Sequence, residues 1–176
     1  STDCRQHGEG FDPSLGRGSY IFNPGIAAID EADAIMLIGT NPRTEAAILN
    51  GRIRKRWSAG GLLVGVIGPE LDLGYPYNHI GTGPDALNQY LDHGPLGKER
   101  PLFIVGPGAY ARPDGAAVLA KIAAAAKSLG VVKDGWNGLC VLHTAASRVA
   151  ALDLGFVPTD GAMDVAAMAS GGAEVI

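Results

Sequence analysis

The sequence is short of the residues that build redox and metal centres. Its 176 residues hold 2 cysteines, Cys4 and Cys140, and 4 histidines, His7, His79, His93 and His143. Neither a CxxC pair nor an iron–sulfur or zinc cysteine set can be assembled from that supply. The cysteines read as two reduced thiols, with a disulfide between them as the alternative. The histidines show no HExxH or similar spacing, so each reads as a surface or hydrogen-bonded side chain. No acid/base pair or nucleophile triad stands out, and no residue is assigned a catalytic or metal-binding role. Positive charge is scarce as well. With Lys+Arg 14 against Asp+Glu 18 and a net charge of -4, the chain lacks the basic surplus of a bulk electrostatic nucleic-acid binder. No apolar run approaches the roughly 20 residues of a membrane span, and the first residues lack the apolar core of a signal peptide. A cytoplasmic or organelle-matrix setting, with no span of its own in this stretch, is the expectation.

What the chain has instead is Gly (26), Pro (11) and short apolar runs between them, at 47% hydrophobic and 18% charged residues. That pattern and length suit one α/β domain with many loops. The stretch from Ala34 to Gly51 organises it. Ala34 to Ile38 is an unbroken apolar run, as in a strand buried on both faces of a parallel sheet. The polar turn Gly39-Thr40-Asn41-Pro42 follows. Ala46, Leu49, Ile53 and Trp57 then recur at spacings of three and four, along one helical face. Loops at the carboxyl ends of parallel strands, facing helix N-termini, are where open α/β sheets bind anionic ligands. A small-molecule site therefore belongs at this loop.

The same unit recurs along the chain. Asn23-Pro24 reads as the start of a short helix, capped by Asn23, that carries Ile26, Ala27, Ile29 and Ala32. Gly60-Gly61 ends the long helix, and Leu62 to Ile67 is the next buried strand, joined by a crossover long enough to be right-handed. At its end Glu70 and Asp72 stand where a carboxylate could bond sugar or base hydroxyls. Tyr75 to His79 reads as an aromatic loop over the sheet edge. A helix from Gly83-Pro84-Asp85 to about His93 follows. Pro101 to Val105 is a strand, Gly106-Pro107-Gly108 its turn, and Asp114 to Leu129 an alanine-rich helix stopped by Gly130. Asn137 to His143 supplies a further strand and Ala145 to Leu154 a last helix. Ser1 to Ser19 reads as an irregular lead-in that needs something else to pack against. The expected domain runs over 23–156, between a lead-in over 1–22 and an extension over 157–176, with both termini read as cut. The densest charge cluster is Arg52, Arg54, Lys55 and Arg56, either a solvated face favoured by the helix dipole or a contact for an acidic partner or anionic ligand.

With these residues in view, the chain resembles the molybdopterin-dinucleotide oxidoreductases. Their third domain has an apolar strand, a Gly-x-Asn-Pro loop and a helix, matched here by Gly39 to Pro42 after Glu31-Ala32-Asp33. Ala146 to Gly155 resembles a second family stretch, with Asp153 and Gly155 matching and Ala150 where glycine is expected. The closer resemblance is to one branch, the large iron–sulfur subunit of respiratory complex I. It rests on Asn23-Pro24 with Ile26-Ala27, on Gly39 to Trp57, on Val66-Ile67-Gly68, on Asp114 to Ala117, and on His143 to Phe156.

The resemblance implies a doubly wound, mostly parallel α/β sheet with helices on both faces, cut from a longer subunit. It implies that the iron–sulfur clusters lie in an N-terminal part of the parent outside this chain. It also implies that other subunits of the complex I peripheral arm are the partners, on the cytoplasmic face of a bacterial inner membrane or the matrix side in mitochondria. Molybdenum enzymes of the family often carry Asp-Pro-Arg where this chain has Gly68-Pro69-Glu70. The surroundings of Thr40 and Arg43 read as bulky and mostly uncharged, adding no cofactor clamp. Gly39, Thr40, Asn41, Pro42 and Glu70 are accordingly read as a vestigial cofactor-binding set. Three functions compete: a redox-silent structural domain of complex I; a cofactor domain of a formate dehydrogenase-like molybdenum enzyme, with Asn41 and nearby N–H groups holding phosphates; and a free-standing nucleotide- or CoA-binding domain.

Overall fold

The computed structural model describes residues 11, 15–94, 98–145, 147–155, 163 and 167–172. Its centre is β1 (Ala34–Ile38), paired in parallel with β2 (Leu63–Ile67) on one side and β4 (Pro101–Val105) on the other. Ile38 lies level with Ile67 and Val105, so the loops leaving all three strands emerge at one end. β3 (Asn78–Gly81) and β7 (Leu139–Val141) complete a five-stranded parallel sheet in the order β3-β2-β1-β4-β7. Crossovers run outward from β1 through β2 to β3, then return to the other side of β1 at β4. The direction reverses between β1 and β4, which makes this the topological switch point.

Period-2 alternation divides each central strand between two cores. Ile35, Leu37, Val64, Val66, Leu102 and Ile104 face one core, with Leu49 and Ile53 of α2 (Ala47–Ser58). Met36, Ile38, Ile67, Phe103 and Val105 face the other, with Leu87 and Leu91 of α3 (Gly83–His93) and Ile122 and Ala126 of α5 (Gly115–Ser128). Helices cover both faces, which is why β1 and β4 can be apolar throughout. Each fully buried side chain of this size contributes about 1.5–3 kcal/mol. The expected doubly wound α/β architecture is the one found.

Several elements differ from the sequence reading. The helix after β1 is broken at Ala46, which leaves helical conformation at φ -149° and ψ 66° and separates α1 (Pro42–Glu45) from α2. The turn after β4 opens a short helix, α4 (Pro107–Tyr110). Asn78 and His79, the end of the expected aromatic loop, open an edge strand, β3 (Asn78–Gly81). Its side chains are largely exposed, so backbone pairing with β2 makes the strand and no apolar pattern marks it. Asn23 does not cap a helix. Its Nδ2 donates to the carbonyls of Gly18 at 2.8 Å and Leu139 at 2.7 Å, and the following 3₁₀ turn, Ile26–Asp30, starts after Gly25. The strand expected from Asn137 begins at Leu139. Trp136–Asn137, β6, pairs instead in an antiparallel hairpin with Val132–Lys133, β5. The last helix is shorter than expected, α6 (Arg148–Asp153).

The end of the lead-in packs on this chain itself. The Val141 N–H donates to the Ile21 carbonyl at 3.1 Å, and Phe22 forms an antiparallel bridge to Cys140 along β7. The Tyr20 hydroxyl donates to Asp153 at 2.8 Å, and Arg17 pairs with the same carboxylate at 3.0 Å. Cys140 is a buried free thiol, pushed up in pKa by burial. Cys4, His7, the first ten residues and most of 157–176 lie outside the described residues.

Candidate functional site

The loops leaving β1 and β4 meet at the switch point, and glycines let them touch. Gly39 has φ +59°, and a Cβ there would overlap the Ala109 amide nitrogen. A Cβ at Gly106 would run into the Thr40 side chain, and one at Gly108 into the Gly39 carbonyl. This contact is stitched by backbone hydrogen bonds of 2.9 Å, from Gly106 N to Ile38 O and from Gly108 N to Gly39 O. A third, also 2.9 Å, runs from Gly39 N to Ile67 O. The crevice between β1 and β4 is thus closed by main chain.

Beside it, over the ends of β1 and β2, lies a cavity of about 400 Å³. Its walls are largely apolar, including Ile38, Ile67, Leu71, Leu87, Ala109 and Val118. Of the five residues read as a cofactor set, Gly39, Thr40 and Asn41 line it. Pro42 is buried at the first position of α1. Glu70 is directed elsewhere: its side chain is 84% exposed, with Oε1 3.9 Å from Nδ1 of His79.

Several of the polar groups around the cavity are already engaged within the chain. Thr40 Oγ1 donates to Glu45 Oε2 at 2.6 Å. Asn41 Oδ1 accepts from the Arg43 N–H at 3.1 Å, capping α1, a role that Pro42 at the next position supports. The Arg43 guanidinium is drawn away to Asp72, whose carbonyl it reaches at 3.0 Å. Arg112 lines the cavity but is held by Asp114 at 2.7 Å, an exchange that raises the pKa of the arginine and lowers that of the aspartate. Burial, then the negative charge of Glu45, pushes the nearby Tyr110 hydroxyl up to about 12. The expectation of uncharged surroundings at Thr40 is therefore corrected: a carboxylate is its hydrogen-bond partner. Glu45 lies five residues past Thr40, in the first turn of α1, where a carboxylate is ordinary and carries no sequence signal of its partner.

The basic cluster divides. Arg52 makes a two-pronged contact to Asp30, with Nη2 to Oδ2 at 2.6 Å, which holds the Asp30 carboxyl below its ordinary pKa. Arg56 Nη1 donates to the Gly60 carbonyl at 2.6 Å, closing the end of α2. Arg54 and Lys55 are exposed and have no carboxylate within ion-pair distance among the described residues. No set of three or more His, Cys, Asp and Glu side chains among the described residues could hold a metal ion. No described helix is long and apolar enough to cross a membrane.

A family model described as molybdopterin oxidoreductase matches residues 1–176. The chain belongs to the molybdopterin oxidoreductase family. It is also 42% identical over 158 residues, 86% of its length, to the mitochondrial NADH dehydrogenase (ubiquinone) iron–sulfur protein 1 of Solanum tuberosum. It is 42% identical over 147 residues, 80% of its length, to the mitochondrial NADH-ubiquinone oxidoreductase 78 kDa subunit of Neurospora crassa. The subunit of the same name from Candida albicans is 40% identical over 164 residues, 89% of the chain. These alignments cover 21%, 20% and 22% of the relatives, so the chain spans about a fifth of their length. The resemblance read from Gly39 to Trp57 and from His143 to Phe156 is borne out at the level of the family and of this branch.

The group that a molybdopterin oxidoreductase implies is a pterin dinucleotide. Its pyrophosphate needs uncommitted N–H donors or cations at the strand ends. Here the Gly39, Gly106 and Gly108 amides, the Thr40 hydroxyl, and both Arg43 and Arg112 are spent within the chain, and Glu45 adds a negative charge. These residues do not fit a pyrophosphate at the switch point.

Proposed function

We propose that this chain is a redox-silent scaffolding domain within the large iron–sulfur subunit of respiratory complex I. In this reading the parent takes part in NADH-to-quinone electron transfer through clusters in its N-terminal part, and this domain supports that part and the neighbouring subunits of the peripheral arm. The domain carries no cofactor, and it sits on the matrix side of a mitochondrial membrane or the cytoplasmic face of a bacterial one. The observation that carries the reading is the state of the switch point. The amides of Gly39, Gly106 and Gly108 are bonded to neighbouring carbonyls, and a carboxylate, Glu45, holds the hydroxyl of Thr40 where an anionic cofactor would need a donor. The names of the relatives support the parent's role, and their identity of 40–42% extends over most of the chain.

Asn41→Asp in the parent protein tests it. Aspartate caps a helix as well as asparagine does, so α1 is kept, while a negative charge enters the loop. A scaffold loop tolerates the change, and NADH:quinone turnover per assembled complex stays at the wild-type value. A loop that holds pyrophosphate for catalysis does not, and a tenfold or greater loss of turnover at normal assembly would overturn the reading.

A further inference from the structure

Among the described residues, nothing accounts for Gly51 in the middle of α2. Its φ is not positive, and a Cβ built on it meets nothing within 4 Å. Glycine in a helix interior costs about 0.5–1 kcal/mol relative to alanine, and no contact among the described residues offsets that cost. Three residues earlier, on the same face, Ile48 is 82% exposed. Four residues later stands Lys55, with Arg54 and Ala47 bounding the face on one side and Arg52 on the other. The inner face of the helix is spent on the core through Leu49, Ile53 and Trp57. The outer face therefore presents one projecting apolar side chain, a bare strip of backbone at Gly51, and two cations, Arg54 and Lys55, without carboxylate partners among the described residues. In a chain of net charge -4 that local positive excess runs against the whole.

We propose that the outer face of α2 docks an acidic helix of a neighbouring subunit, an inference that rests on membership of the complex. The partner crosses closely over Gly51, where the missing side chain lets two backbones approach. It receives Ile48 between its own apolar residues and sets carboxylates opposite Arg54 and Lys55. Close approach explains the glycine, burial explains the isoleucine, and charge complementarity selects an acidic partner.

The test uses the full parent protein expressed in its own complex. Gly51→Gln improves helix propensity, so it leaves folding intact but blocks the crossing. Arg54→Glu with Lys55→Glu repels carboxylates. Lys127→Glu on α5 is the control for charge alone. Recovery of assembled complex, read by native electrophoresis and NADH:quinone activity, falls at least tenfold with the first two and is unchanged with the control. A photo-crosslinking residue placed at position 48 reads the same contact without any loss of stability. It joins this chain to a peptide of another subunit that is rich in Asp and Glu. Wild-type recovery with both variants, or crosslinks only to lipid or to a second copy of this chain, overturns the docking proposal and leaves the scaffold reading standing. Failure of the wild-type parent itself to appear in an NADH:quinone-active complex overturns both.

Discussion

Gly39 shows how much one residue carries at the end of β1. It occupies left-handed backbone at φ +59°, accepts a hydrogen bond from Gly108 and has no room for a methyl group against Ala109. Gly39→Ala combines backbone strain with a clash against main chain that cannot step aside. A loss of about 2–4 kcal/mol of unfolding free energy is expected, read by urea unfolding. Gly60→Ala serves as the comparison, because Gly60 has φ +87° but open space around it and suffers the backbone strain alone. Equal losses at the two positions would show that the loop contact adds nothing. The sequence announced Gly39-Thr40-Asn41-Pro42 as a turn at a strand end, since glycine, asparagine and proline mark such turns. It did not announce Glu45 as the group facing Thr40, because a carboxylate in a first helical turn is ordinary and its direction depends on the break at Ala46.

Among the elements, the segment from Arg17 to Phe22 acts as a strap over the β7 edge, and His143 is its titrating contact. The imidazole Nε2–H donates to the Tyr20 carbonyl at 2.5 Å, Nδ1 is buried with no partner among the described residues, and the ring packs against Phe11 and Tyr110. Burial lowers its pKa below the ordinary 6.5, and the bond to Tyr20 only partly opposes this. The unfolded chain then binds more protons than the folded one below that value, so stability rises with pH there. Unfolding free energy is expected to be flat with respect to this group above pH 6.5 and to fall as pH drops below it. His143→Phe keeps the ring packing and removes the proton, so the slope just below pH 6.5 should flatten in denaturant titrations across pH. An unchanged slope would show that the strap does not sense His143. A separate loss belongs to Asp153, whose carboxyl is held below 3.8 by the Tyr20 hydroxyl first and Arg17 second, and it appears only on further acidification. Elements with strong apolar patterns were legible: β1, β2, β4, α3 and α5 stand where periodicity puts them. β3 and the strap were not, because both are made by backbone pairing at a sheet edge with little apolar signal of their own.

At the scale of the molecule, a ligand-binding architecture is present in which the Gly39, Gly106 and Gly108 amides and the Thr40 hydroxyl are committed within the chain. The sheet order puts a switch point between β1 and β4, the helices cover both faces, and a cavity of about 400 Å³ opens beside the loops. The fold class could be read from the sequence because buried parallel strands must be apolar on both faces, which leaves a plain pattern. The state of the site could not, because it depends on which donors are already satisfied, and hydrogen bonds between distant loops leave no periodicity. The central claim, a scaffold descended from a cofactor domain, is tested most directly by the molybdenum content of the purified parent complex, measured by inductively coupled plasma mass spectrometry beside its iron. The account predicts iron in abundance and molybdenum at background. Molybdenum in stoichiometric amount with this polypeptide would contradict it.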